Sequence, residues 1–508
     1  MFIQIDRAAH LPIYLQIEDT LRRLIAQGTL RPGDRLPSTR QLAAQVGVNR
    51  ITIEAAFSKL EADGLINSHV GRGTFVNRVS PPPGMRSVDA SPDAESLARL
   101  WGPLFVDLRP APMSLPALNV RLAGKAISFV HAAPASDLFP GAEFRRCVDY
   151  VLKRRVHEVA GLGSSDGLPS LRSQLVRWFA QSGIEASEDE VITTTGCQQS
   201  MDLIRRILVG PGDALMMENP TYPGAVAALA PSSSERLELP IDEGGPDLRV
   251  LTSLGGRNIC RLIYVVPNFH NPTGLSMSLD SRRQLVTTTS ELRIPVVEDD
   301  VFGELRYTGP ALPSLKSLCP HLVIYIGSFS KMLSPSLRLG WIIAPRPVAR
   351  RLNAVKQACD LHTNLLVQAA MDEFCRRDLL HRHLKRIRRV FLKRRDAMAE
   401  AVHREFPSDA RWELPKGGLS FWVSLHPECD TEELLRLAQE QGVQFLPGSA
   451  FYFRSPLYNS LRLSFAAESE ERIREGIRIL GRLLASQKSR PLCNAAWAER
   501  PRPRPAIM

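Results

Sequence analysis

The sequence predicts a multidomain protein in which a small N-terminal winged helix-turn-helix precedes a large α/β domain. Three observations carry this reading. At 508 residues the chain exceeds what a single hydrophobic core organises. Its first 78 residues run helix, turn, helix and hairpin, in that order. From residue 126 to 487, apolar strand-like runs alternate with helical stretches, the pattern of a sheet covered by helices. The expected boundaries are 1–78 for the first domain, 79–125 for a linker, 126–487 for the large domain and 488–508 for a disordered tail.

The elements follow in chain order. A helix is expected over Pro12 to Ala26, where Ile13, Ile17, Leu21, Leu24 and Ile25 recur at helical spacing, then others over Thr39 to Gln45 and Arg50 to Asp63. In L-R-P-G-D-R-L-P-S, Pro32 and Gly33 stop one helix and Ser38 caps the next. Gly47 in V-G-V-N supplies the turn. After Gly64, two short strands flank Gly71-Arg72-Gly73. Pro81-Pro82-Pro83-Gly84 opens the linker. Strands are expected at Val191–Thr194, Ala214–Glu218, Arg261–Val266, Pro295–Glu298 and Val323–Ile326, with shorter ones near Gly418–Ser424 and Leu461–Ser464. The tail after Gln487 is rich in Pro and Arg.

Composition excludes several classes. Hydrophobic residues at 44% and charged residues at 23% match ordinary globular chains and argue against a disordered or fibrous one. A net charge of +11 suits a polyanionic partner, yet it equally serves solubility. Met1 to His10 contains Asp6, Arg7 and His10 without an apolar core, and no run of about eighteen apolar residues occurs, so neither secretion nor a membrane span is expected and the cytoplasm is. Eight scattered cysteines without C-x-x-C read as reduced thiols, and no metal site is expected. The basic run from His381 to Arg395 reads as a solvated helix face rather than a second nucleic-acid patch.

In a helix-turn-helix the second helix reaches base edges, which here puts Arg50, Thr52 and Glu54 in position. Arg40 can fork onto a phosphate or a guanine, and Arg72 can enter a minor groove from the hairpin tip. A solvated helix face and an ordinary hairpin arginine remain the alternatives at this level. Together, P-I-Y-x-Q, G-D-R-L-P-S-T-R-Q-L-A, G-V-N-R-I-T-I, L-E-A-D-G-L and G-R-G-T-F-V resemble the GntR family of winged-helix regulators. The resemblance implies binding to a double-stranded DNA operator through Ser38, Arg40, Arg50, Thr52 and Arg72.

The large domain carries V-I-Y-I-G-S-F-S-K-M-L-S-P-S-L-R-L-G-W, in which a strand leads through small residues to Lys331. A lysine amine with a lowered pKa attacks an aldehyde cofactor, and Ser328, Ser330 and Arg338 suit a phosphate. Taken alone, S-x-S-K equally describes a surface lysine. V-V-E-D-D puts Asp299 at a strand end, where a carboxylate can hold a pyridine nitrogen protonated or stand merely solvated. V-P-N-F-H-N-P-T-G offers the Asn271 amide within a Pro/Gly turn. T-T-T-G-C-Q-Q-S opens a helix at Gly196, Cys197 and Gln198 with amides suited to phosphate, and E-N-P-T-Y-P offers Tyr222, a stacking ring or a core tyrosine.

In order, these segments resemble the fold-type I, aspartate aminotransferase-like, pyridoxal phosphate proteins over residues 126 to 487. The resemblance implies pyridoxal 5′-phosphate attached at Lys331. Asp299 would pair with its ring nitrogen, Asn271 with its ring oxygen, Tyr222 would stack, and Gly196, Cys197, Gln198, Ser328 and Arg338 would hold the phosphate. Arg462 in S-L-R-L-S-F would clamp a substrate carboxylate. One departure stands out: the tyrosine usual two or three residues after the aspartate is replaced by Val301 and Phe302, which puts efficient transamination in doubt but not cofactor attachment. The whole layout resembles the MocR/GabR-type regulators. It implies a homodimer, an amino-acid-like effector, and at most weak transaminase activity, with a working aminotransferase bearing an attached DNA-binding module as the alternative.

Overall fold

The computed structural model describes residues 5, 12–26, 29–69, 73–77, 126–230, 234–242, 244–255 and 260–488. The linker expected at 79–125, Arg72, Cys493 and the tail lie outside the described residues. The chain forms two compact units.

In the first unit, α1 (Ile13–Ala26), α2 (Thr39–Val46) and α3 (Arg50–Ala62) close over Ile17, Leu21, Leu42, Ile53, Phe57 and Leu60. The spacing Ile53, Ala56, Phe57, Leu60 turns one stripe of α3 inward. Ser38 begins α2 as expected: its hydroxyl accepts the Gln41 amide at 3.3 Å, while Gln41 Oε1 accepts the Ser38 amide at 3.1 Å. Gly47 ends α2 at φ 69°, a left-handed conformation that costs glycine no clash. The wing is a three-stranded antiparallel sheet of β1 (Arg35–Leu36), β2 (Ile66–His69) and β3 (Gly73–Val76), ordered β1-β3-β2.

The first described strand of the second unit is β4 (Ile127–Ser128), and a large sheet organises the unit. Its strands are β5 (Val191–Thr194), β6 (Ala214–Asn219), β7 (Glu235–Asp242), β8 (Gly245–Pro246), β9 (Cys260–Val265), β10 (Val296–Asp299), β11 (Val323–Ser328) and β12 (Gly340–Ile343). They lie in the order β5-β12-β11-β10-β9-β6-β7-β8. From β7 to β11 the neighbours β7, β6, β9, β10 and β11 are parallel, and β12 is antiparallel to both β11 and β5. Helices cover both faces, which is why strands such as V-V-E-D are apolar without alternation. Met201, Ile204, Val226 and Ile324 pack one face, and Met216, Ile263, Leu285 and Val296 pack the other.

A smaller sheet contains β13 (Arg411–Trp412), β14 (Ser420–Ser424), β16 (Leu446–Pro447) and β17 (Ser460–Ser464), ordered β13-β14-β17-β16, while β15 (Val443–Gln444) pairs with β4. The basic run lies on a 27-residue helix, Leu379–Glu405. It is not simply a solvated face, as expected from its charges. His381, Arg382, Lys385 and Arg389 are exposed, but His383, Arg394 and Arg395 are buried. His383 Nε2 lies 2.9 Å from the Met332 carbonyl, and Arg394 and Arg395 donate to the carbonyls of Ala466 and Pro415. No helix among the described residues is long and apolar enough to cross a membrane.

Candidate functional site

The carboxyl ends of β9, β10 and β11 open on a cavity of about 310 Å³, where open α/β sheets gather their ligands. Its walls bring together Cys197, Gln198, Tyr222, Asn271, Asp299, Ser328, Lys331 and Arg338, residues that the sequence scatters over more than a hundred positions. Val301 and Phe302 line the same wall, and neither offers a hydroxyl.

Asp299 ends β10 one residue beyond the expected strand, and the pleat turns it into the cavity. Its Oδ2 accepts the Tyr264 hydroxyl at 2.7 Å, while Oδ1 is buried and has no partner among the described residues. Burial pushes its carboxyl up to about 6, against the Tyr264 hydrogen bond, which favours the ionised form. An orphaned carboxylate oxygen in such a place calls for a cationic N–H, and a protonated pyridine nitrogen fits it.

Lys331 stands in the tight turn that follows β11, half-buried. Burial lowers its amine to about 8, and the charge of Arg462 acts in the same direction. Beside it, Ser328 Oγ lies 2.7 Å from Ser330 Oγ and accepts the Ser330 amide at 3.0 Å. Arg338 adopts φ 46° and lines the cavity from its rim.

The helix α4 (Cys197–Leu208) presents its N-terminus here. Its first amides have no intrahelical acceptor and its dipole favours an anion. Gly196 precedes it at φ 99°, and a Cβ there would stand 3.1 Å from Arg338 Nη2. Glycine therefore permits both the turn and the approach of the arginine. Gln198 donates its side-chain amide to the Gly224 carbonyl at 2.9 Å.

Arg462, on β17, is 3% exposed. Its Nη2 donates to the Val130 carbonyl, its Nη1 to Asn271 Oδ1 at 3.3 Å, and its plane lies over the Phe451 ring at 5.4 Å. Nε is buried and has no partner among the described residues, and burial lowers the guanidinium to about 10. Because Oδ1 of Asn271 is taken by Arg462, its NH₂ is the group left to donate. A buried arginine with no carboxylate partner awaits an anion.

Tyr264 was missed from sequence. It sits in R-L-I-Y-V-V, which reads as an ordinary buried strand; the one usable signal is that a buried tyrosine hydroxyl requires a partner. Ser330, Met201 and Val266 also line the cavity.

On the first unit, Ser38 is occupied by its cap, Arg40 is exposed early on α2, and Arg50 heads α3 with its Nε 2.7 Å from Glu54. Thr52 is half-buried. These lie on the two helices of one helix-turn-helix, with Arg72 outside the described residues.

Residues 145–480 match the aminotransferases of class I and II, and residues 13–76 match the bacterial regulatory proteins of the gntR family. The probable rhizopine catabolism regulatory protein MocR of Rhizobium meliloti is 30% identical over 98% of this chain and 99% of its own. The 2-aminoadipate transaminase of Thermus thermophilus is 36% identical over 70% of this chain and 90% of its own. A solved alpha-aminoadipate aminotransferase of Thermus thermophilus, complexed with N-(5′-phosphopyridoxyl)-L-leucine, superposes with a TM-score of 0.71 at 34% identity, covering 77% of this chain and 99% of that one.

Proposed function

This chain belongs to the class I and II aminotransferases and, through its gntR-family domain, to the MocR-type DNA-binding regulators, and from that premise we propose that it senses an amino acid in the cavity and reports it to DNA. The carrying observation is Arg462, a buried cation whose Nε has no partner among the described residues, beside the Asn271 amide. It is suited to the carboxylate of an effector whose amine meets the cofactor.

Pyridoxal 5′-phosphate supplies an aldehyde for an amine and a cationic ring that draws electrons. Lys331 would hold it in the absence of effector, and the lowered amine pKa makes a neutral nucleophile available near neutral pH. Asp299 would keep the ring nitrogen protonated, Asn271 would donate to the ring oxygen, and Tyr222 would stack on the ring. The α4 amides, with Ser328 and Arg338, would take the phosphate. With Val301 and Phe302 at the positions where the family resemblance places a tyrosine, Asn271 would be the donor to the ring oxygen, an arrangement suited to binding more than to turnover.

The protein acts as a homodimer in the cytoplasm, two readers on two half-sites. The exposed apolar residues Leu152, Val156 and Leu162, the last 84% exposed, support a face buried by a second copy. Effector changes operator affinity only by its different affinity for the two states, about 5.5 kcal/mol for a near-complete switch.

The test is the near-visible absorption of the purified protein compared with Lys331→Ala, and its response to amino acids. A cofactor band that the variant lacks, and that shifts with an amino acid, supports the reading. Absence of a band after pyridoxal phosphate is added overturns it.

A further inference from the structure

We propose that Ile51 reads a thymine, its side chain packing on the 5-methyl group in the major groove. This rests on the DNA-reading role of the first unit and adds the base that one residue recognises.

Ile51 is 70% exposed, and it is the one large hydrophobic left exposed among the described residues of the first unit. The fold does not need it there. Ile53, Ala56, Phe57 and Leu60 form the buried stripe of α3, and Ile51 lies about 200° around the helix from Ile53. It is held at the head of the helix, where its amide donates to Asn49 Oδ1 at 3.2 Å.

Its surroundings suit a groove floor. Ala55, one turn on, is exposed and too short to shield it. Arg50 and Glu54, at 2.7 Å, pair on the flank, which offsets the carboxylate that would otherwise repel phosphate. Arg40 on α2 is exposed for the backbone, giving the face the charge that a polyanion requires. Among base edges in the major groove, the thymine methyl is the apolar feature, and an aliphatic side chain is its complement.

The experiment starts by selecting sequences from a random DNA pool with the full-length, pyridoxal phosphate-loaded protein. Each thymine of the selected motif is then replaced by deoxyuridine, which removes the methyl alone. The expected result is about fourfold weaker binding at one position in each half-site, the fold-change of one buried methyl-sized group. Ile51→Ser binds more weakly and loses that sensitivity, whereas Ile51→Val keeps it. Equal sensitivity in Ile51→Ser, or no sensitive thymine in the wild type, overturns the proposal while leaving DNA binding intact. Failure to retain any sequence overturns the proposal together with the DNA-reading assignment.

Discussion

The Tyr264 hydroxyl donates to Asp299 Oδ2 at 2.7 Å and leaves Oδ1 buried with no partner among the described residues. This arrangement makes stability depend on pH. The folded-state pKa of Asp299 is raised, to about 6 from an ordinary 3.8, so its contribution to stability is fully present below the unfolded value and is lost as pH rises through 6. Asp299→Asn removes the ionisation and keeps an acceptor for Tyr264. In urea denaturation of cofactor-free protein, the variant gains on the wild type as pH rises from about 3 to 7, by up to about 3 kcal/mol in all. Parallel curves would mean that Asp299 is not held in a charge-averse site. The same variant retains the cofactor less well, since its ring nitrogen loses its counter-ion.

Attachment of the cofactor needs the neutral Lys331 amine, whose pKa burial lowers to about 8. The rate of reconstitution of cofactor-free protein with pyridoxal phosphate therefore climbs with pH to a plateau, with a midpoint near that value. Arg462→Met removes a positive charge that disfavours the ammonium, so the midpoint moves to higher pH. Stopped-flow absorbance reads both, and an unmoved midpoint would show that Arg462 does not act on Lys331.

Gly196 occupies φ 99° in front of α4, with Arg338 closing on it. In Gly196→Ala the backbone is strained by roughly 1–3 kcal/mol and the arginine is displaced. Cofactor affinity should fall about tenfold or more, measured by fluorescence titration, with inorganic phosphate competing less well in the same proportion. Unchanged affinity would remove this helix terminus from the phosphate site.

The basic helix makes a paired prediction. Arg395 is 5% exposed, donates to the Pro415 carbonyl at 2.9 Å and lies over the Tyr307 ring at 5.8 Å. Arg389 is exposed. Arg395→Ala is expected to destabilise by about 2–4 kcal/mol and Arg389→Ala by under about 0.5 kcal/mol in denaturant titrations. Equal effects would restore the solvated-face reading.

Much of this arrangement is legible locally. Ser38 after Pro37 announces a helix start, and Gly327, Ser328 and Ser330 ahead of Lys331 announce a tight turn. Arg462 is legible only as a motif residue, because what makes it an anion site is the Val130 carbonyl 332 positions away and the Asn271 amide 191 away. Tyr264 is hidden for a related reason. An apolar strand buried on both faces carries no period that says which side chain turns toward a ligand, and its partner Asp299 stands 35 residues later. Charge density misleads on the long helix, since counting arginines does not reveal which of them reach carbonyls on β14 and β17 approaches. Arg394 and Arg395 do.

The most direct test of the account follows operator affinity and keto-acid release together while the pyridoxal phosphate-loaded protein is titrated with each common amino acid. The account predicts that at least one amino acid changes operator affinity at least fivefold, the lower end of ordinary allosteric coupling, with no steady keto-acid release, and that Arg462→Met abolishes the response. Steady release of keto acid with operator affinity unchanged would contradict it and make the large domain an enzyme that the reader merely carries.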